Sequence, residues 1–206
     1  MVYTPKHFDE TDVVRLHTLI RAHNFATLIC AQQGEIAVSH LPLLLDAKRG
    51  VLRGHMARAN SQWRMFSPEH EVLAIFRGPH HYISPRWYVS HPSVPTWNYA
   101  VVHAHGRAHI IDSGVELEDL VRDLVEYHEA GEAQPWVMDL PREYQAKMLA
   151  AIVGFEIRIT RLEGKFKLSQ NRPAADRPLV IEALEQIGND EARGVAALMR
   201  ERHLRG

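Results

Sequence analysis

Two polar runs in this chain carry the side chains needed to hold an anionic ligand. One is Ser39-His40-Leu41-Pro42 followed, after a turn, by Gly54-His55-Met56-Ala57-Arg58-Ala59-Asn60; the other is Lys165-Phe166-Lys167-Leu168-Ser169-Gln170-Asn171-Arg172. Ser, Asn, Lys and Arg can donate hydrogen bonds to phosphate or carboxylate oxygens, and an arginine fork can do so twice. Side chains must do this work because neither a Gly-x-Gly-x-x-Gly fingerprint nor a Walker loop offers backbone N–H groups to a phosphate. A third set, His103, His105 and His109, recurs on one side of an alternating pattern, its nearest imidazoles about 7 Å apart. That spacing admits a metal when another ligand joins, but a polar sheet face explains it as well, and no metal is assigned. No Gly-x-Ser-x-Gly elbow and no His-Glu-x-x-His pair occurs, which removes the serine hydrolase and zinc protease patterns. Cys30 lies in the apolar run Phe25-Ala26-Thr27-Leu28-Ile29-Cys30-Ala31, a setting for a small buried hydrophobe rather than a nucleophile.

These groups need a scaffold, and the patterning describes one. Residues 9–23 read as a helix capped at Asp9 or Thr11, with Val13, Leu16, Leu19 and Ile20 at helical spacing. Two β-rich runs, 25–31 and 35–45, meet at Gln32-Gln33-Gly34, a short hairpin signal, and a third strand at 51–56 completes an expected meander of neighbouring strands. Residues 57–66 suggest a short helical excursion and 71–76 an apolar strand. The stretch 78–95 holds Pro79, Pro85, Pro92 and Pro95 and reads as an ordered loop beside a strand at Tyr82-Ile83. Residues 97–111 alternate, with Val102, Ala104, Gly106, Ala108 and Ile110 opposite the histidines and Arg107. Helices follow at 115–130 and 141–153, a strand at 155–162, and two helical patterns in 178–205 whose end is basic: Arg200, Arg202, His203 and Arg205. Mostly antiparallel strands ringed by helices define an α+β fold, a small or half-open barrel rather than a βαβ sheet. Residues 1–175 form the barrel domain in this reading, and 176–206 a helical extension of it.

The 206 residues suffice for one globular domain with a proper core. A formal charge of -1 gives no net pull toward nucleic acid. No run approaches the roughly 18 apolar residues of a membrane span, and the start of the chain lacks the layout of a secretion signal. With a lone thiol, a reducing cytoplasm is the expected setting. Fourteen histidines make acidification a predicted stress.

Taken in order, Ser39-His40-Leu41-Pro42, Gly54-His55-Met56-Ala57-Arg58-Ala59-Asn60, Gly78-Pro79-His80 with Tyr82-Ile83-Ser84-Pro85, Val94-Pro95-Thr96-Trp97-Asn98-Tyr99 and Lys167-Leu168-Ser169-Gln170-Asn171-Arg172 resemble the PaiB-like family of FMN-binding negative transcriptional regulators. The opening Tyr3-Thr4-Pro5-Lys6-His7-Phe8 and the strand from Phe25 are similar as well, so the resemblance spans most of the chain. It implies an antiparallel split β-barrel of the pyridoxamine phosphate oxidase type and a homodimer binding FMN between its subunits. By the same resemblance, Ser39, His40 and Leu41 would line the isoalloxazine. His55, Met56, Ala57, Arg58 and Asn60 would meet the ribityl chain and phosphate, with Tyr82 and Ser84 alongside. Trp97, Asn98, Lys167, Gln170 and Arg172 would close the site from the partner subunit. Arg58, Lys167 and Arg172 are the phosphate candidates. Trp63 and Trp87 are expected as core aromatics.

Three functions compete. The resemblance favours a flavin-binding repressor, although neither charge nor a helix-turn-helix supports direct DNA contact. A flavin-dependent oxidoreductase is the first alternative, with His40, His55 or His81 delivering a proton. A haem-binding or haem-degrading split barrel is the second, though haem needs one placed axial ligand and fourteen histidines do not identify it. No catalytic residue is assigned.

Overall fold

The computed structural model describes residues 3–203. Eight strands run β1 (Asp9–Glu10), β2 (Phe25–Gln32), β3 (Glu35–Pro42), β4 (Leu44–Asp46), β5 (Val51–Ala57), β6 (Val72–Ile83), β7 (Thr96–Ile110) and β8 (Ile152–Lys167). Five helices accompany them: α1 (Val13–Ala22), α2 (Gly114–Glu129), α3 (Arg142–Ala150), α4 (Asp176–Ile187) and α5 (Asp190–His203). The hydrogen-bonded order is β3-β2-β6-β7-β8-β5-β4, with β1 on β8. This is the expected α+β fold, an antiparallel sheet with flanking helices. Residues gather into two compact units, and β6, β7 and β8 each contribute to both.

One unit comprises residues 24–75 and 104–162. Its β2–β3 hairpin turns on Gln33 and Gly34, both at positive φ (50° and 87°), the backbone a two-residue primed turn requires. Asp46 closes the next turn by accepting from the Lys48 and Arg49 amides at 3.1 Å. The expected meander fails at this point. The run 35–45 breaks at Leu43, which is fully buried, and β5 pairs with β4 on one side and β8 on the other. Leu117, Leu120 and Leu124 form the buried stripe of α2, which Ser113 caps. The helix lies so close to β8 that a Cβ on Gly154 would sit 2.6 Å from Leu117 Cδ1. Cys30 is buried, as expected, and burial raises its thiol pKa.

The other unit comprises residues 3–23, 76–103 and 163–203. Asp12, rather than Asp9 or Thr11, caps α1 through the Val14 amide, because Asp9 and Glu10 pair with Lys165 and Gly164 of β8. Leu16, Leu19 and Ile20 turn inward, and a Cβ at Gly78 would meet Leu19 at 2.9 Å. Buried Glu10 accepts from buried Arg15 and from Arg202. The two expected C-terminal helices are α4 and α5, separated by Gly188 in the left-handed region, which supplies the stop. Their buried Val180, Ile181, Leu184, Val195 and Met199 join the core of this unit.

Candidate functional site

In the unit holding β2 to β5, Ser39 and Asn60 come together. The Asn60 amide donates to Ser39 Oγ at 2.8 Å while its Oδ1 accepts the Gln62 amide at 3.0 Å, capping the short 3-10 turn Ser61–Met65. Asn60 is thus fixed at both ends and holds the Ser39 hydroxyl, whose own hydrogen is left to donate outward. His40 projects from the other face of β3, exposed, with Nδ1 3.1 Å from Thr27 Oγ1. Leu41 and Met56 are core residues. Arg58 is exposed, but Nε and Nη2 each donate at 2.8 Å, to the Ala150 and Ile152 carbonyls, pinning the end of β5 to the start of β8. Trp63 donates its indole N–H to the Arg58 carbonyl. His55 is half-buried, its Nδ1 buried without a partner, and desolvation lowers its pKa from the usual histidine value.

In the other unit, Trp97 and Tyr82 stand 53% and 42% exposed, ring centroids 6.2 Å apart and edge to face, with His80 stacked on the indole at 6.2 Å. Exposed aromatic surface beside polar groups is what a flat ligand ring would use. Lys167 donates to Thr96 Oγ1 and Lys165 to the Tyr3 carbonyl. Burial, followed by the charges of Lys165 and Arg172, lowers the Lys167 pKa from the usual lysine value. Arg172 lies 4.2 Å over the Tyr88 ring and donates to Ser93 Oγ (3.3 Å) and the Val94 carbonyl (3.2 Å), engaging two of its five N–H groups.

Other predicted residues build this second set from behind. Asn98 is fully buried and bonds Ser169 Oγ at 2.9 Å, holding Ser169 in the left-handed conformation (φ 64°). A non-glycine residue there costs on the order of 1–3 kcal/mol and persists only when its surroundings over-determine it. Gln170 assists, its Oε1 accepting the Leu168 amide at 2.6 Å and its amide donating to the Phe166 carbonyl. Ser84 is buried and caps the turn Pro85–Trp87. Sequence reasoning missed Tyr88, Asp176 and Arg177. Asp176 Oδ1 accepts the Val89 and Ser90 amides at 3.0 and 3.1 Å; burial opposes its charge, but those bonds and the Arg172 charge hold its carboxyl below the usual range. The only sequence signal was an acidic residue at a helix start.

Residues 2–161 match the profile of the family described as "Putative FMN-binding domain". The chain belongs to this PaiB-like FMN-binding family. It is 36% identical over 204 residues to the Bacillus subtilis strain 168 "Protease synthase and sporulation protein PAI 2", covering 98% of each chain. Two solved structures share the fold: the flavocytochrome Anf3 from Azotobacter vinelandii (TM-score 0.62, 14% identity, 77% of this chain and 69% of that one) and the FAD and heme binding protein from Mycobacterium smegmatis (TM-score 0.58, 14% identity, 78% and 73%).

The side chains present fit the cofactor of the PaiB-like family, FMN. Burial first, and then the neighbouring charges of Lys165 and Arg172, disfavour the charged form of Lys167, and a phosphate dianion would favour it. Within its own unit the exposed Trp97–Tyr82 pair offers aromatic surface to a flat ring, and within the other unit the Ser39 hydroxyl and the unpartnered His55 Nδ1 offer polar groups. The matched profile stops at residue 161, so the cation cluster lies beyond the part of the chain that defines the PaiB-like family match.

Proposed function

We propose that this chain is a PaiB-type negative transcriptional regulator, acting in the cytoplasm as a homodimer that takes FMN at its subunit seam. The observation that carries this reading is the end-to-end similarity to the Bacillus subtilis protein named for protease synthesis and sporulation. In it, Arg172 and Lys167 hold the phosphate of FMN. Ser39, kept in place by Asn60, and Trp97 meet the rest of the molecule, one set supplied by each subunit. FMN when bound supplies one- or two-electron chemistry. The protein's own part is to bind, orient and shield it, and the flavin-bound dimer is the repressing form.

Operator contact through α5 is not part of this reading. Arg200 is bidentate to Glu185 at 2.7 Å, Arg202 is paired with Glu10, and Arg205 lies outside the described residues. No helix among the described residues is long and apolar enough to cross a membrane. Comparing transcripts in a deletion strain, complemented with wild type or with Arg172→Ala, tests the proposal. A set of transcripts should rise on deletion and fall again only with wild type. No transcript rising on deletion would overturn it.

One observation favours a second reading, a flavin-dependent oxidoreductase. His40 and His81 have Nδ1 contacts to Thr27 and to the Tyr82 carbonyl, whereas His55 keeps a buried, unpartnered Nδ1 that could hydrogen-bond a bound flavin. Anaerobic mixing of the FMN-loaded protein with NADH or NADPH would support this reading if it bleached flavin absorbance faster than free FMN, and would remove its nicotinamide version otherwise.

A further inference from the structure

The C-terminal tail does more than extend the fold. At the start of α4, two adjacent residues hold the two chain segments between which Arg172 lies. Asp176, with no exposed surface, accepts the Val89 and Ser90 amides and so fixes the loop carrying Tyr88, Ser93 and Val94. Ser93 closes that loop on itself by donating to the Ser90 carbonyl at 2.5 Å. Arg177 reaches the other way, donating through Nε to the Arg172 carbonyl (3.1 Å) and through Nη2 to the Gln170 carbonyl (3.0 Å). The Arg172 guanidinium then stacks on Tyr88 and bonds Ser93 and Val94, residues of the loop whose Val89 and Ser90 amides Asp176 holds. The pair Asp176–Arg177 thus ties down both the loop that the Arg172 guanidinium rests on and the backbone of Arg172 itself, which also donates its amide to the Ser169 carbonyl at 3.0 Å.

The geometry points to Asp176 and Arg177 as the positioning residues that aim Arg172 at the phosphate of FMN, making the α4 start the determinant of FMN over its phosphate-free analogue riboflavin. This rests on the proposed function, in which Arg172 meets the phosphate. The sign of the effect separates positioning from charge. Asp176 is an anion beside the proposed phosphate site, so removing its charge alone should strengthen phosphate binding. Losing its grip on the Val89–Ser90 amides should instead leave Arg172 misdirected and weaken binding.

The test is flavin titration by fluorescence with FMN and with riboflavin, on the full chain. Asp176→Asn removes the charge and keeps an acceptor for the two amides; Asp176→Ala removes both. Asp176→Ala should bind FMN about tenfold more weakly than Asp176→Asn, a loss of about 1.4 kcal/mol, with riboflavin affinity equal in the two. In an Arg172→Ala background the difference between Ala and Asn should vanish, because a positioning residue has nothing left to position. Should Asp176→Ala fail to fold, Arg177→Lys keeps the charge while giving up the paired grip on the Arg172 and Gln170 carbonyls, and should weaken FMN but not riboflavin in the same way.

Equal FMN affinities for Asp176→Ala and Asp176→Asn would overturn the inference, as would a loss that affects riboflavin equally or persists without Arg172. Failure of the underlying reading looks different: Arg172→Ala by itself would then leave FMN affinity at the wild-type value.

Discussion

Replacing Arg172 by alanine isolates the phosphate contact from everything else the residue does. In the folded chain two of its five N–H groups serve Ser93 and Val94 and its plane covers Tyr88, leaving three donors for a ligand. A charge-assisted hydrogen bond contributes about 1.5–3 kcal/mol, which corresponds to a rise in FMN Kd of about 12- to 150-fold. The lost stacking on Tyr88, about 0.5–2 kcal/mol, acts on the fold and is common to every ligand. Riboflavin affinity should therefore barely change while FMN affinity falls. Asn60→Ala is the contrasting case: its side chain is engaged with Ser39 and the Gln62 amide, so under the proposed placement of the phosphate at Arg172 both flavins should weaken together. Quenching of flavin fluorescence during titration reads both constants, and circular dichroism checks that each variant is folded. Parallel losses of FMN and riboflavin in Arg172→Ala, or no loss at all, would refute the placement of the phosphate.

Two pH effects follow from the same side chains. His17, His23, His55 and His105 all have pKa values lowered, burial leading in each case. Below the unfolded histidine value of ~6.5 the unfolded chain binds more protons than the folded one, so stability present above that pH is lost as pH falls toward the lowered folded values. Thermal unfolding midpoints should decrease from pH 7 to pH 5, less steeply in His55→Gln; a flat profile would contradict the burial argument. Lys167 works in the opposite range. Phosphate favours its charged form, so FMN affinity should hold up to the lowered Lys167 pKa and decline above it, with Lys167→Arg abolishing the decline. An FMN affinity independent of alkaline pH in the wild type would place Lys167 away from the phosphate.

Local chemistry made much of the fold legible. The Gln33-Gly34 hairpin, the Leu117-Leu120-Leu124 stripe and the α4–α5 break at Gly188 are each set by turn conformation or helical period within a few residues. What escaped depended on partners distant in sequence. β5 pairs with β8, about a hundred residues away, because sheet order follows how strands bury their faces and not their proximity along the chain. Asp9 and Glu10 were drawn from the expected helix into β1 by Lys165 and Gly164 for the same reason.

The candidate site shows the same division. Polar motifs drew attention to Ser39, Asn60, Lys167 and Arg172 through residue type, yet type alone could not separate outward groups from Asn98 and Gln170, whose amides are engaged internally. Nor could it show that Asp176 and Arg177 stand behind Arg172, since the hydrogen bond that Asp176 accepts from the Val89 amide spans 87 positions.

Titrating the purified apoprotein with FMN while recording its mass in solution addresses the central proposal most directly. Saturation at one flavin per chain, with the flavin-bound species twice the mass of a single chain, is the outcome this account requires. A monomer that takes up no FMN at concentrations well above micromolar would contradict it.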